Sequence, residues 1–180
     1  MSVFTNPASR SAAEAGEYTK AVLGLVGKRD PMNVLEHTPH LLEAAVGAFP
    51  AAAVRKPEAP GKWSVQQVLR HLADSEIVWA WRMRLVLAQE RPTLTGYDQD
   101  RWAERLGYAD ADAKQSLEEF SMQRAANLRL LRRASPDDLS RVGVHAERGE
   151  ESIAHMMKLY AGHDILHLNQ IERIRLAVVD

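Results

Sequence analysis

The sequence predicts an all-α protein, a helical bundle built as one domain over residues 1–180. Three observations carry that prediction. Several segments of roughly twenty residues or more repeat apolar positions at helical spacing. Proline and glycine clusters punctuate them, and no alternating pattern gives a convincing strand set. At 180 residues and 46% apolar, the chain can fill one core but is short for two.

Taken in order, the first helix is expected over about residues 12–27, where Gly27 suits a C-cap. A second begins after Pro31 and continues to about Phe49, carrying Leu35, Leu41, Leu42, Ala45 and Val46. Residues 50–62 hold Pro50, Pro57, Pro60 and Gly61 and read as a loop. The third helix opens at Ser64 with Gln67 three places on, a capping-box pattern, and runs to about Ala88 or Gln89. Pro92 and Gly96 break the chain over residues 91–96. A short helix is expected over about residues 98–106 and a long one over 112–133, closed by Ser135 and Pro136. Residues 137–149 are mostly polar with two glycines and leave room for a brief extended piece. The last helix covers residues 152–178. Long connections at 50–62 and 134–151 allow crossovers beyond a simple up-and-down order.

A formal net charge of -1 gives no general pull toward nucleic acid or an anionic membrane. Arg124, Arg129, Arg132 and Arg133 read as a solvated helix face. The absence of cysteine excludes disulfides, thiolate zinc ligands and a cysteine nucleophile, and it suits a cytoplasmic address. The early residues Asn6, Ser9, Arg10, Ser11 and Glu14 lack the basic start and apolar run of a signal peptide. No stretch reaches the ~18 apolar residues of a membrane span, so a soluble protein is expected. The first helix and the residues around Trp79 and Trp81 offer apolar surface for a homodimer.

Of seven histidines, only His163 and His167 form an i, i+4 pair on an apolar stripe. The stripe comprises Ile153, Met156, Met157, Tyr160, Ile171, Ile174 and Val178. At about 100° per residue, both imidazoles fall within it. Each buried ring needs partners for two nitrogens, and a metal ion can serve both rings at once. The plainer account is a pair of hydrogen-bonded core or interface histidines. The glutamate of an H-E-x-x-H motif is missing, since Asp164, Ile165 and Leu166 intervene. A third ligand would tip the balance, and His71 is the best candidate. It lies on the flank of the stripe Val65, Val68, Leu69, Leu72, Trp79, Met83 and Val86, so periodicity permits it to face a neighbour without requiring it. Asp74 is placed either to take the second N–H of a ligating histidine or on a solvated face, and Glu76 nearer the buried stripe. Arg82 and Trp102 are candidates for an anion contact and a pocket wall, with ordinary packing the simpler alternative.

The stretch from Gly61-Lys62-Trp63-Ser64-Val65 through His71-Leu72-Ala73-Asp74-Ser75 resembles the DinB superfamily, specifically its YfiT-like branch. The resemblance continues in Pro92, in Tyr97-Asp98-Gln99-Asp100-Arg101-Trp102 and in His145-Ala146-Glu147-Arg148-Gly149-Glu150. It closes with Tyr160-Ala161-Gly162-His163 through His167 and Ile171. It implies a four-helix bundle with additional short helices, in which His71, His163 and His167 bind one divalent metal. Relatives often carry further histidines where this chain has Leu166 and Gln170, and a proline where it has Ala146. These departures leave the ligand trio intact and bear on auxiliary acid–base groups. Asp74, His145 and Glu147 are the candidates for that role, with a structural role for the block that holds His145 and Glu147 an equal alternative.

Three neutral imidazoles leave an ion's charge to act on whatever fills its remaining positions. A bound thiol gives an S-transferase, and water gives a hydrolase. The resemblance favours the first: a low-molecular-weight thiol of the bacillithiol type as cosubstrate and an electrophilic small molecule as acceptor, in a detoxification role. A metal-dependent hydrolase is the first alternative. The second is a non-enzymatic, metal-stabilised stress-response module that binds a partner. Zinc is the first expectation for the ion and nickel the second.

Overall fold

The computed structural model describes residues 12–179. Its elements run α1 (Ala12–Val26), α2 (Pro31–Gly47), α3 (Val65–Ala88), β1 (Thr93–Leu94), α4 (Gln99–Arg105), α5 (Ala113–Leu131), α6 (Pro136–Ser140), β2 (Val142–His145), β3 (Gly149–Ser152) and α7 (Ile153–Val178). One turn of 3-10 helix, Tyr108–Asp110, joins α4 to α5. The polar residues Asn6, Ser9, Arg10 and Ser11, used above for the cellular address, lie outside the described residues. No described helix is long and apolar enough to cross a membrane.

Helices α2 to α7 start where side-chain oxygens take the otherwise unpaired first-turn amides. Ser64 accepts from the Gln67 amide while the Gln67 side chain accepts from the Ser64 amide at 2.9 Å, completing the capping box. Asp30, Asp98, Asp112 and Ser152 cap α2, α4, α5 and α7 in the simpler way. Each such cap is worth about 1 kcal/mol. At the other end of α1, Gly27 has a φ of 60°, the left-handed turn that glycine adopts without steric cost.

α3 packs on α5, α5 on α2, α2 on α7 and α7 on α3, closing a four-helix ring. α1 packs along α7. That contact is tight at one point: a Cβ on Gly162 would lie 2.2 Å from the carbonyl oxygen of Val22. Only a glycine lets α1 approach the turn that carries His163.

The apolar interior falls into two clusters. One gathers Leu35, Trp79, Met83, Val86, Leu128, Leu131, Ile153, Met156 and Ile165. The other gathers Leu42, Val65, Val68, Leu69, Leu72, Phe120, Ile171 and Ile174. Along α3 and α5 a buried polar layer lies between them, and it includes Glu76, Arg124 and Asn127. Arg124 is 1% exposed and is not part of a solvated face. Its guanidinium donates twice to Glu76 on α3 at 3.0 Å, twice to Asp164 on α7 at 2.6 and 3.1 Å, and once to the Leu35 carbonyl on α2 at 3.0 Å. Asn127 adds a bond to Glu76 at 2.9 Å. One arginine thus joins all four helices of the ring. Arg129, Arg132 and Arg133 are exposed as expected. Trp79 is fully buried, stacked on Tyr160 at 4.4 Å, and contributes no surface for a dimer; Trp81 is 63% exposed.

A small sheet is present although the sequence shows no convincing strand set, and its β2 lies within the 137–149 segment that leaves room for an extended piece. β1 pairs parallel to β2 through Thr93 with Val144 and Leu94 with His145, and β2 pairs antiparallel to β3. Strands of two to four residues are too short for alternation to show in the sequence. Pairing holds them rather than propensity, β1 to β2 across some fifty residues and β2 to β3 in a hairpin. The three residues 146–148 connect β2 to β3, and Gly149, with a φ of 78°, turns the chain back. The sheet ties the segment after α3 to the segment before α7, which are the two helices that carry the histidine trio.

Candidate metal centre

His71 is fully buried on α3, while His163 and His167 stand one turn apart on α7. Their Nε2 atoms converge: His163 lies 3.1 Å from both His71 and His167. One ligand atom from each residue can be chosen so that all three lie within 4.8 Å of one another. Three ring nitrogens aimed at one point cannot satisfy one another by hydrogen bonds, because each N–H···N contact uses one donor and one acceptor. A tetrahedral ion with bonds of about 2.0–2.1 Å would hold its nitrogens about 3.3 Å apart, close to the spacing seen.

Two further features fit a cation. Burial pushes the pKa of His71 and of His163 well below the usual range, with neighbouring histidines adding to it, so both rings stay neutral and keep lone pairs. Burial also lowers His167, to about 4, against a partly offsetting hydrogen bond that it donates to Gln170 and the nearby Asp164 charge. His167 Nδ1 donates to Gln170 Oε1 at 2.8 Å, which leaves the Nε2 lone pair facing the other two rings. Beneath the site, Arg124 is set against two carboxylates, Glu76 and Asp164. The cluster carries one negative charge in excess, and a cation above it restores the balance. The residues present fit a divalent metal ion.

Asp74 does not support His71. It is 3% exposed, and its carboxylate is taken by Arg70 and by the Tyr108 hydroxyl at 2.7 Å. Arg70 bonds Glu119 as well, so this group fastens α3 to the start of α5. His71 Nδ1 is left without a partner among the described residues. Both readings of Asp74, as a carboxylate behind a ligand and as a solvated residue, are therefore replaced by a buried structural pairing. Glu76 has the buried polar role its position suggested.

Beside the trio lies a cavity of about 80 Å³, open at one side. α1 contributes Tyr18, Thr19 and Val22; α3 contributes Ser75 and Arg82; α7 contributes Leu159, Tyr160 and His163. The remaining wall is Gly96, Tyr97 and Gln99 together with His145, Glu147 and Arg148 of the hairpin. His145 and Glu147 therefore line this cavity beside the trio. Arg82 lines it too, whereas Trp102 meets it only through a tilted contact with Tyr97 at 4.5 Å. Ser75 joins cavity to trio, lying 3.4 Å from His71 Nε2 and 3.0 Å from the Tyr97 hydroxyl.

His145 accepts the Glu147 amide at Nδ1, 3.2 Å away, and its pKa is pushed down to about 4 by burial and by the charges of Arg148 and Arg82. Burial raises the phenols of Tyr97 and Tyr160. Ser75, Tyr97, Gln170 and the α1 residues are functional candidates that reading the histidines alone does not find. For Ser75 the signal was its i+4 spacing from His71. For α1 there was none, because its contribution depends on how it packs against α7.

The model of the DinB superfamily matches residues 34–171. A protein of Oceanobacillus iheyensis is 32% identical over 157 residues, covering 87% of each chain, and carries the provisional name of metal-dependent hydrolase. Bacillus subtilis YfiT, provisionally named in the same way, is 29% identical over 146 residues, covering 79% of this chain and 82% of its own. The solved structure of YfiT superposes with a TM-score of 0.76 at 25% identity, covering 96% of this chain and 92% of that one. It is described as a probable metal-dependent hydrolase with an unusual four-helix bundle topology.

Proposed function

The chain belongs to the DinB superfamily, and from that premise we propose that it is a metal-dependent enzyme acting on small molecules, with His71, His163 and His167 holding one divalent ion. The observation that supports this reading best is that His163 belongs both to the trio and to the cavity wall. A closed structural site would offer no such access. When bound, a divalent ion supplies positive charge that lowers the pKa of a thiol or water brought to it. Zinc is the expected ion, with nickel next.

The leading reaction is transfer of a low-molecular-weight thiol, of the bacillithiol type, to an electrophilic small molecule. The sulfur–carbon bond forms, the leaving group departs with its electron pair, and the thiol proton passes to solvent. This asks little proton transfer of the protein, which suits a cavity whose tyrosines stay neutral and whose His145 already carries its proton on Nε2. Ser75 and Tyr97 would orient the reactants beside His71. Hydrolysis is the second reading. It is favoured by Glu147, whose carboxylate lines the cavity as a candidate base, and by the provisional naming of the relatives.

Metal content of tag-free protein, measured beside His71→Ala and His163→Ala, tests the centre. About one equivalent in the parent and little in either variant is expected. Thiol-transfer assays then decide the reaction: activity that survives metal removal sinks the proposal. Turnover of esters or amides without thiol, lost in Glu147→Gln, would favour hydrolysis instead.

A further inference from the structure

Three buried hydrogen-bond donors outside the histidine trio belong to residues that line the cavity, and none has an acceptor among the described residues. Arg82, 6% exposed, gives one Nη2 hydrogen to the Thr95 carbonyl and leaves Nε without a partner. His145, 2% exposed, accepts at Nδ1 from the Glu147 amide, so its proton sits on Nε2, which is also unpartnered. Thr19 on α1 adds a shielded Oγ1 in the same condition. These residues come from α1, α3 and the hairpin, and all three line the space that reaches Ser75 and His163. Buried donors without acceptors are unfavourable, and their gathering around one space marks where an acceptor belongs.

Charge and size narrow its chemistry. Arg148 is matched by Glu151, which it meets with two hydrogen bonds. Arg82 is then the one lining cation without an ion-pair partner among the described residues, and Glu147 places a carboxylate on the Gly96 side. A polyanion would be repelled by Glu147 and find a single cation to meet it. The cavity, at about 80 Å³, has room for about five to eight water-sized groups at about 10–15 Å³ each. A carboxylate fits these limits: planar, singly charged and able to accept several donors at once.

The geometry points to a carboxylate subsite, in which Arg82 Nε, His145 Nε2 and Thr19 Oγ1 donate to the carboxylate of a small-molecule substrate. It deepens the proposed function, resting on that reading for the reacting end of the molecule, which would lie toward His163. The subsite selects substrates that present a carboxylate to Arg82 while their reactive group extends to the trio.

Butyrate, with butyramide and inorganic phosphate as controls, tests this by ligand-observed NMR titration of metal-loaded and metal-stripped protein. Metal content is measured separately on every sample, so a missing ion would refute the trio without touching the butyrate result. Butyrate should bind both samples, with butyramide and phosphate weaker by about tenfold or more. Arg82→Gln should weaken butyrate by about tenfold, and the isosteric Thr19→Val, which preserves the helix surface, by about fivefold. Equal binding of butyrate and butyramide, indifference to both substitutions, or phosphate binding as tight as butyrate would each overturn the assignment. So would butyrate that binds only in the presence of metal and ignores Arg82→Gln, because the carboxylate would then sit on the ion.

Discussion

Arg124 Nη1 donates to Asp164 Oδ2 at 2.6 Å, with both side chains 1% exposed. The bond fixes the turn of α7 in which Asp164 follows His163, so the position of a candidate ligand depends on an arginine two helices away in sequence. Replacing Arg124 by Met would leave Glu76 and Asp164 buried without their cation. A loss of about 3–5 kcal/mol is expected, read from urea unfolding. A loss within about 0.5 kcal/mol would show that the cluster adds nothing to folding.

His163→Ala should remove the metal while leaving the bundle helical. The substitution deletes a nitrogen that lies 3.1 Å from each of the other two, and no other described histidine, aspartate or glutamate joins this group. Elemental analysis and circular dichroism on one sample check both halves of the statement. Full occupancy in the variant would mean the ion sits elsewhere.

Gly162→Ala should be costly although alanine is the better helix former. Its Cβ would meet the Val22 carbonyl at 2.2 Å and the Val22 side chain at 2.6 Å, so α1 must move away from α7. Overpacking of this kind costs about 1–3 kcal/mol. Because α1 carries Thr19, butyrate binding should weaken along with stability. An unchanged melting temperature would show that the two helices separate without cost.

Acid sensitivity should trace in part to His145. Its folded pKa is lowered from 6.5 to about 4 by burial and by Arg148 and Arg82, with Glu151 opposing. Between those values the unfolded chain binds the proton and the folded chain does not, so stability falls as pH falls through this window and is complete above it. Melting temperatures from pH 7 to 4 should drop less steeply for His145→Gln than for the parent. Parallel curves would remove His145 from the account.

The helical elements were legible because their signals are local. Ser64 with Gln67, and Gly27 at a C-cap, act within a few residues and appear in the structure where the sequence placed them. The i, i+4 pairing of His163 and His167 was equally local. What was not legible depends on distance along the chain. Arg124 looked solvated because its partners stand 48 and 40 residues away, and no periodicity reports a charge matched across a bundle. Asp74 was misplaced for the same reason, since Tyr108 lies 34 residues on. The sheet is not legible locally because β2 meets β1, a segment some fifty residues upstream, and the strands are only two to four residues long.

The hairpin tip at residues 146–148 supplies one wall of the cavity but none of the histidine trio. The trio rides on α3 and α7, which the buried Arg124 cluster holds at fixed spacing. The hairpin wall is thereby mounted apart from the trio, while Ser75, Arg82 and Tyr160 line the cavity from the same helices as the histidines. A change of length or sequence in that tip would alter which molecules are admitted while leaving the histidines where they are. On the proposed function, three residues could retune the substrate range without rebuilding the histidine trio.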